Sequence, residues 1–148
     1  MLTSETVSQL TQEIWAALMA PEGVLELEPG DMADQQVTAV IRISGEWNGS
    51  VYLACSRAAA RQATATMFGL PDDELTDDDI SDAVRELVNV VGGSIKGLVP
   101  GPSTLSLPVL GEEGQSHLPS HLELAHEVRF SWMAEPLIVS VWTGPPVD

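Results

Sequence analysis

A carboxylate and a carboxamide lie three positions apart in this sequence, and together they could hold a water molecule against a partner. The stretch reads Glu86-Leu-Val-Asn89-Val-Val-Gly-Gly93, an E-x-x-N-x-x-x-G pattern. The Asn amide places a donor beside an acceptor but takes up no proton at neutral pH, so it suits orienting a water rather than deprotonating it. The Glu carboxylate can form a charge-assisted hydrogen bond to a partner's Lys or Arg.

The spacing predicts that these residues share one face of a helix whose opposite face is buried. At about 100° per residue, Glu86, Asn89 and Gly93 fall within an arc of roughly 60°. Apolar residues recur on the other side at helical steps: Ile80, Val84, Leu87, Val91, Ile95 and Leu98. Because these apolar residues satisfy core packing, we expect Glu86 and Asn89 to be exposed and available to a partner.

Two consecutive glycines, Gly92 and Gly93, interrupt this helix. Each glycine destabilises a helix interior by about 1 kcal/mol relative to alanine, so either close packing or a partner's approach should justify them. We expect Gly93 to allow a partner's backbone to come close. Lys96 lies on the same face one turn on, and it is either a solubilising lysine or a contact to the partner's phosphate or acidic pocket. We count Gly93 and Lys96 as predicted partner-binding residues.

Capping residues predict three helices. The first follows Thr3 or Ser4 and stops before Pro21, and the second covers Arg57–Phe68 between Ser56 and Gly69. The motif helix begins after Thr76, which forms a capping box with Asp79, and ends near Leu98.

Extended segments predict a sheet. They cover residues 24–27, 37–44, 50–55, 103–110, 117–130 and 137–143, with turns at 48–49, 111–114 and 134–136. The elements predict an α+β fold in one domain over residues 1–148, a mostly antiparallel sheet with helices packed on one face.

Charge and composition exclude several classes of function. Six Lys and Arg against 22 Asp and Glu give a net charge of −16, which would repel nucleic acid and anionic membranes. The sequence shows neither an export signal nor an apolar run of the roughly 20 residues that span a bilayer. Cys55 is the single cysteine, so it forms no internal disulfide, which fits a cytoplasmic location. We expect it to be a small buried hydrophobic residue.

The order of motifs along nearly the whole chain resembles the CheX/CheC family of phosphatases, which dephosphorylate the response regulator CheY. Besides the helix motif, Gly45-Glu-Trp-Asn-Gly49-Ser-Val-Tyr-Leu53 is similar to the family's hairpin, and Leu105-Ser-Leu-Pro108 to the strand after the long helix. One copy of the motif is more similar to CheX than to CheC, whose chains carry two. Ser94 departs from the pattern, since the family often has Asn after the motif glycine.

The resemblance implies a catalytic role for the polar pair. Asn89 would align a water for in-line attack on the aspartyl phosphate of a CheY-like receiver domain, and Glu86 would pair with a lysine of that regulator. The regulator would carry the Mg2+, so the protein needs no cofactor or metal of its own. CheX-type members also form dimers by joining sheets, which implies a homodimer. Two alternatives stay open: a non-catalytic module that docks a receiver domain or another signalling partner, and a structural part of a flagellar switch.

Other chemistries have weaker support. The acidic run from Asp72 to Asp82 is explained by helix caps and a solvated helix start, although its negative potential could also steer a partner that presents a lysine. His117, His121 and Glu123 would share one face of a strand, but a surface strand explains them better than a metal site. The sequence contains neither a G-x-S-x-G nucleophile elbow nor a glycine-rich phosphate loop.

Overall fold

A computed structural model describes residues 2–21, 23–27, 37–111 and 122–144. The helices in this part of the chain are α1 (Ser4–Leu18), α2 (Arg57–Phe68) and α3 (Asp77–Lys96), with a short 3-10 turn at Asp72–Glu74. The strands are β1 (Glu26–Leu27), β2 (Val37–Gly45), β3 (Gly49–Cys55), β4 (Ser103–Leu105), β5 (Val109–Gly111), β6 (Glu123–Trp132) and β7 (Glu135–Thr143). None of the helices described is long and apolar enough to cross a membrane.

The helix ends follow from side chains next to them in the sequence. At the start of α3, Thr76 Oγ1 accepts a hydrogen bond from Asp79 N at 3.1 Å and Asp79 Oδ2 accepts one from Thr76 N at 3.0 Å. These reciprocal bonds satisfy two backbone donors that the helix leaves unpaired, which confirms the predicted capping box. The helix ends at Lys96, so Leu98 lies outside it with 39% exposure. The prediction that Leu98 belongs to the buried stripe was wrong.

The described strands form one antiparallel sheet in the order β1-β6-β7-β3-β2-β4, with β5 also paired to β2. Ile41, Val51 and Val141 lie side by side on neighbouring strands, and all three are buried. This row belongs to the core on which the helices pack.

All three helices cover that same face of the sheet. The α3 helix contacts β2 and β3, α2 contacts β7, and α1 contacts β6. The Trp15 ring of α1 packs edge-on against the Trp132 ring of β6, with ring centroids 5.6 Å apart and planes at 82°. The structure therefore confirms the predicted α+β fold with helices on one face of an antiparallel sheet.

Two hairpin turns lie earlier than the sequence predicted. Residues 45–48 form the first turn, where Asn48 Oδ1 accepts a hydrogen bond from Gly45 N at 3.2 Å and Asn48 Nδ2 donates one to Gly45 O at 3.1 Å. Gly49 already belongs to β3. The second turn is formed by Met133 and Ala134, which have positive φ, so Pro136 lies near the start of β7 rather than in the turn.

The predicted strand over residues 103–110 is two strands separated by a β-bulge. The β4 strand pairs with β2 up to Ile43, and β5 pairs with β2 from Val40 onward. Ser106, Leu107 and Pro108 therefore lie opposite only Ile41 and Arg42, one residue too many for a regular ladder. Pro108 has no N–H to donate, which favours the interruption. The predicted turn at 111–114 and the predicted strand start at His117 fall outside the described residues, apart from Gly111 in β5.

Candidate functional site

The motif residues lie on the outer face of α3, as the helical spacing predicts. Glu86, Asn89 and Gly93 are exposed, whereas Leu87, Val88 and the rest of the inner stripe are buried. We call Glu86, Asn89 and Gly93 together the α3 face. Because the inner stripe makes the contacts with the core, the polar pair is left facing outward.

Within the described ranges, the side chains of Glu86, Asn89 and Lys96 have no hydrogen bond or ion pair to another residue. A carboxylate and an amide that form no hydrogen bond within their own chain can direct all of their donors and acceptors to a partner or to water. Lys96 is half-buried, as is Ser94. The side chains needed for the predicted chemistry are therefore accessible and unpaired.

The two adjacent glycines have different surroundings. A Cβ added to Gly92 would lie 2.6 Å from Ile41 Cγ2 and 3.6 Å from Leu105 Cδ1, so this glycine lets α3 pack closely on β2. A Cβ added to Gly93 would meet no heavy atom within 4 Å. Packing thus accounts for Gly92 but not for Gly93, whose lack of a side chain destabilises the helix without any gain in intramolecular contact.

Replacing Gly93 by alanine is expected to stabilise the folded protein while weakening its binding to a partner. Alanine is favoured over glycine in a helix interior by about 1 kcal/mol, and the open space leaves room for the methyl group. Urea unfolding should show this gain, and titration with a receiver domain should show a raised Kd. A Gly93→Ala variant that binds as the parent does would remove the proposed reason for the glycine.

The neighbouring glycine supplies the matched control. Gly92→Ala should destabilise the fold by about 1–3 kcal/mol, because the new methyl group would overlap the Ile41 side chain in a packed core. Opposite signs of the stability change at adjacent positions would separate a packing requirement from a binding requirement.

Three of the seven carboxylates between Asp72 and Asp82 are engaged in local structure. Asp79 caps the helix, Asp72 pairs with Arg61 at 3.2 Å, and Asp82 pairs with Arg85 at 3.4 Å. Arg85 lies only about 40° around the helix from Asn89, a neighbour that the sequence analysis did not single out. Among the described residues, no group of three or more His, Cys, Asp or Glu side chains could hold a metal ion.

The remaining candidate groups do not converge on the α3 face. His126 Nδ1 lies 3.1 Å from Ser4 Oγ, a contact between β6 and α1, while His117 and His121 fall outside the described residues. Burial raises the pKa of the Cys55 thiol to about 12. A thiol in that environment stays protonated at neutral pH and does not act as a nucleophile.

A family model described as the chemotaxis phosphatase CheX matches residues 37–125. The chain belongs to the CheX family. The matched region runs from β2 into β6 and includes all of α3 with its E-x-x-N-x-x-x-G motif. No curated protein matches the sequence at a significant level.

Solved structures of CheX proteins share this fold over almost the whole chain. CheX from Vibrio vulnificus has a TM-score of 0.72 at 17% identity and covers 95% of each chain. CheX from Desulfovibrio desulfuricans has a TM-score of 0.70 at 19% identity, covering 95% of this chain and 98% of that one. CheX from Borrelia burgdorferi, solved in a complex with CheY, BeF3 and Mg2+, has a TM-score of 0.71 at 16% identity, covering 94% and 95%.

Proposed function

We propose that this CheX family member hydrolyses the aspartyl phosphate of a CheY-like receiver domain by positioning a water in the regulator's active site. The observation that supports this most directly is the α3 face, where Glu86 and Asn89 are exposed and have no partner in the described chain. The Borrelia structure supports the class of partner, since that CheX was solved with CheY, BeF3 and Mg2+.

Asn89 is proposed as the residue that orients the attacking water. Its amide oxygen accepts a hydrogen bond from the water, and its NH2 group donates to an oxygen in the same pocket, so the lone pair of the water points at phosphorus. Phosphoryl transfer needs in-line alignment and charge stabilisation more than a strong base, and an amide can supply the alignment. Under this proposal no covalent bond forms between the enzyme and the phosphoryl group.

Glu86 and Gly93 are proposed to set the position of the regulator on α3. A lysine of the receiver domain would donate to the Glu86 carboxylate, which fixes where Asn89 enters the pocket. At Gly93 the backbone of the regulator could approach the helix without meeting a side chain. Lys96, one turn further along, is proposed to contact the phosphate or the acidic pocket that surrounds it.

The negative charge of the protein makes the regulator's own cations important. A net charge of −16 opposes the approach of a phosphoryl group. The lysine that pairs with Glu86 and an Mg2+ ion carried by the regulator would both offset this repulsion. The proposal therefore assigns the metal to the partner.

The decisive experiment measures dephosphorylation across the receiver domains encoded in the same genome. Each domain is phosphorylated with a small phosphodonor, the donor is removed, and phosphate loss is followed with and without the protein. At least one receiver domain should lose its phosphate much faster when the protein is present. Unchanged decay for every receiver domain that binds the protein would favour the non-catalytic docking module instead.

A homodimer is proposed through the outer edge of β6. In the part of the chain described, β1 pairs with β6 only at Phe130 and Ser131, so residues 123–128 have no described strand neighbour on that side. An unpaired strand edge can add a second copy by continuing the hydrogen-bond ladder. Sedimentation equilibrium should give twice the chain mass of 15.8 kDa, and a proline placed within residues 123–128 of β6 should return the mass to that of one chain.

A further inference from the structure

Leu107 is the most exposed large hydrophobic side chain that the structure describes, at 86%. It belongs to the β-bulge of Ser106, Leu107 and Pro108 between β4 and β5. A single exposed leucine is common on protein surfaces and by itself indicates nothing. The way the backbone holds this one gives a reason to consider a binding role.

The first residue of the bulge is held to β2 by two hydrogen bonds with Arg42. Ser106 Oγ accepts a hydrogen bond from Arg42 N at 2.9 Å, and Ser106 N donates one to Arg42 O at 2.9 Å. Pro108 restricts the backbone on the other side of Leu107. A hydrophobic side chain on a fixed backbone loses little conformational entropy when a partner covers it. Bulges at sheet edges commonly redirect a side chain in this way.

The bulge also lies beside α3. Leu105, two residues before Leu107, packs against the core. Its Cδ1 atom would lie 3.6 Å from a Cβ added to Gly92, which precedes Gly93 in α3. Two residues of extended chain span only about 7 Å. Leu107 is therefore held next to the flank of the helix on which a partner is proposed to dock.

The α3 face alone is too small for a specific interface. Such interfaces bury about 800 Å2 on each partner, equivalent to a disc of roughly 16 Å radius. A disc of that size centred near Gly93 extends beyond the helix. In the direction of the helix start it runs past Glu86 and reaches Asp82 at its edge, about 16 Å from Gly93 along the helix, and these residues offer charge rather than the apolar surface found at interface centres. In the direction of Gly92 it meets the bulge, which offers an apolar side chain.

We propose that Leu107 is a second docking point for the receiver domain and inserts into an apolar depression beside the regulator's phosphorylation site. This inference rests on the proposed function for its partner. It assigns Leu107 to affinity alone, because Leu107 reaches neither the phosphoryl group nor the water that Asn89 holds. The Glu86 pair would fix the register of the regulator, and Leu107 would supply apolar burial.

The test measures binding and turnover separately with a receiver domain that the parent protein binds. Binding is titrated calorimetrically with the domain carrying BeF3 and Mg2+, and kcat and KM are measured with the phosphorylated domain. Leu107→Ser should raise Kd and KM by about 10-fold or more, the size expected when burial of a leucine is lost, with kcat changed less than about 2-fold. Leu107→Met should restore most of the affinity, since it keeps an apolar side chain of similar volume.

Val24→Ser is the matched control. Val24 is 73% exposed beside β1, which lies at the opposite end of the sheet order from β4. It should bind and turn over as the parent does, and both serine variants should keep the parent's thermal unfolding midpoint.

The outcomes separate this inference from the proposed function. Hydrolysis with parental Kd and KM in Leu107→Ser would overturn the role of Leu107 and leave the phosphatase proposal standing. Binding that depends on Leu107 without any hydrolysis would overturn the phosphatase proposal and support the docking point. If no receiver domain binds the parent protein, both proposals fail.

Discussion

Replacing Asn89 by alanine is expected to lower kcat for receiver-domain dephosphorylation by at least about 100-fold, while Kd for the BeF3-bearing domain changes less than about 3-fold. Removing one positioned group that stabilises a reacting centre commonly lowers kcat by about 100- to 1000-fold. The effect should fall on kcat because the water needs alignment only in the assembled complex. Single-turnover measurements at saturating protein isolate that step from binding.

The fold should tolerate this substitution. The Asn89 side chain is exposed and bonds to no other described residue, and alanine is the better helix former, so the free energy of unfolding should stay constant or rise slightly. Gln62→Ala removes an exposed amide from α2 and should leave kcat unchanged. A parental kcat in Asn89→Ala would show that the amide does not align the water, whatever the protein binds.

Replacing Glu86 by alanine is expected to raise Kd and KM by about 30-fold or more. Truncating one member of a charge pair that becomes buried in an interface destabilises the complex by about 2–5 kcal/mol, because the lysine of the regulator is left buried without its counter-charge. The value of kcat at saturation should also fall, since the pair sets the register that brings Asn89 into the pocket. Titration calorimetry and steady-state kinetics on the same receiver domain measure both changes.

A charge exchange tests whether Glu86 acts through a lysine. Glu86→Lys should bind the parental receiver domain more weakly than Glu86→Ala does, and a receiver domain with the pairing lysine changed to Glu should recover part of that loss in binding. Glu13→Ala removes an exposed carboxylate from α1 and changes the net charge equally, so it controls for long-range electrostatics. Equal Kd values for Glu86→Ala and Glu13→Ala would contradict a specific pair.

The two substitutions together distinguish an enzyme from a docking module. A phosphatase of the proposed kind separates the effects, with Asn89 governing kcat and Glu86 governing both Kd and kcat. A module that only docks would show a change in Kd at Glu86 and no turnover for Asn89 to affect. Gly93→Ala adds a third readout, because it should weaken binding while stabilising the free protein.

Much of α3 was determined by the sequence alone, because the interactions involved connect residues at most four positions apart. Thr76 and Asp79 close the capping box between themselves, and the helical repeat alone places Asn89 opposite the buried stripe. The order of the flanking motifs was sufficient for the resemblance to the CheX family, and the family match and the fold confirm it. The roles of Glu86, Asn89, Gly93 and Lys96 remain predictions.

Only the tertiary structure distinguished between the two glycines and revealed the bulge. From the sequence, Gly92 and Gly93 are equivalent, and the contact with Ile41 that explains one of them joins positions about 50 residues apart in the chain. Ser106 bonds to Arg42, which lies 64 positions earlier in the chain. The extra residue in the bulge, and with it the exposure of Leu107, therefore depends on how β4 and β5 pair with β2. Pro108 inside a predicted strand was the local signal of that interruption. Strand register is set by contacts between distant segments, whereas helix phase and caps are set within one or two turns.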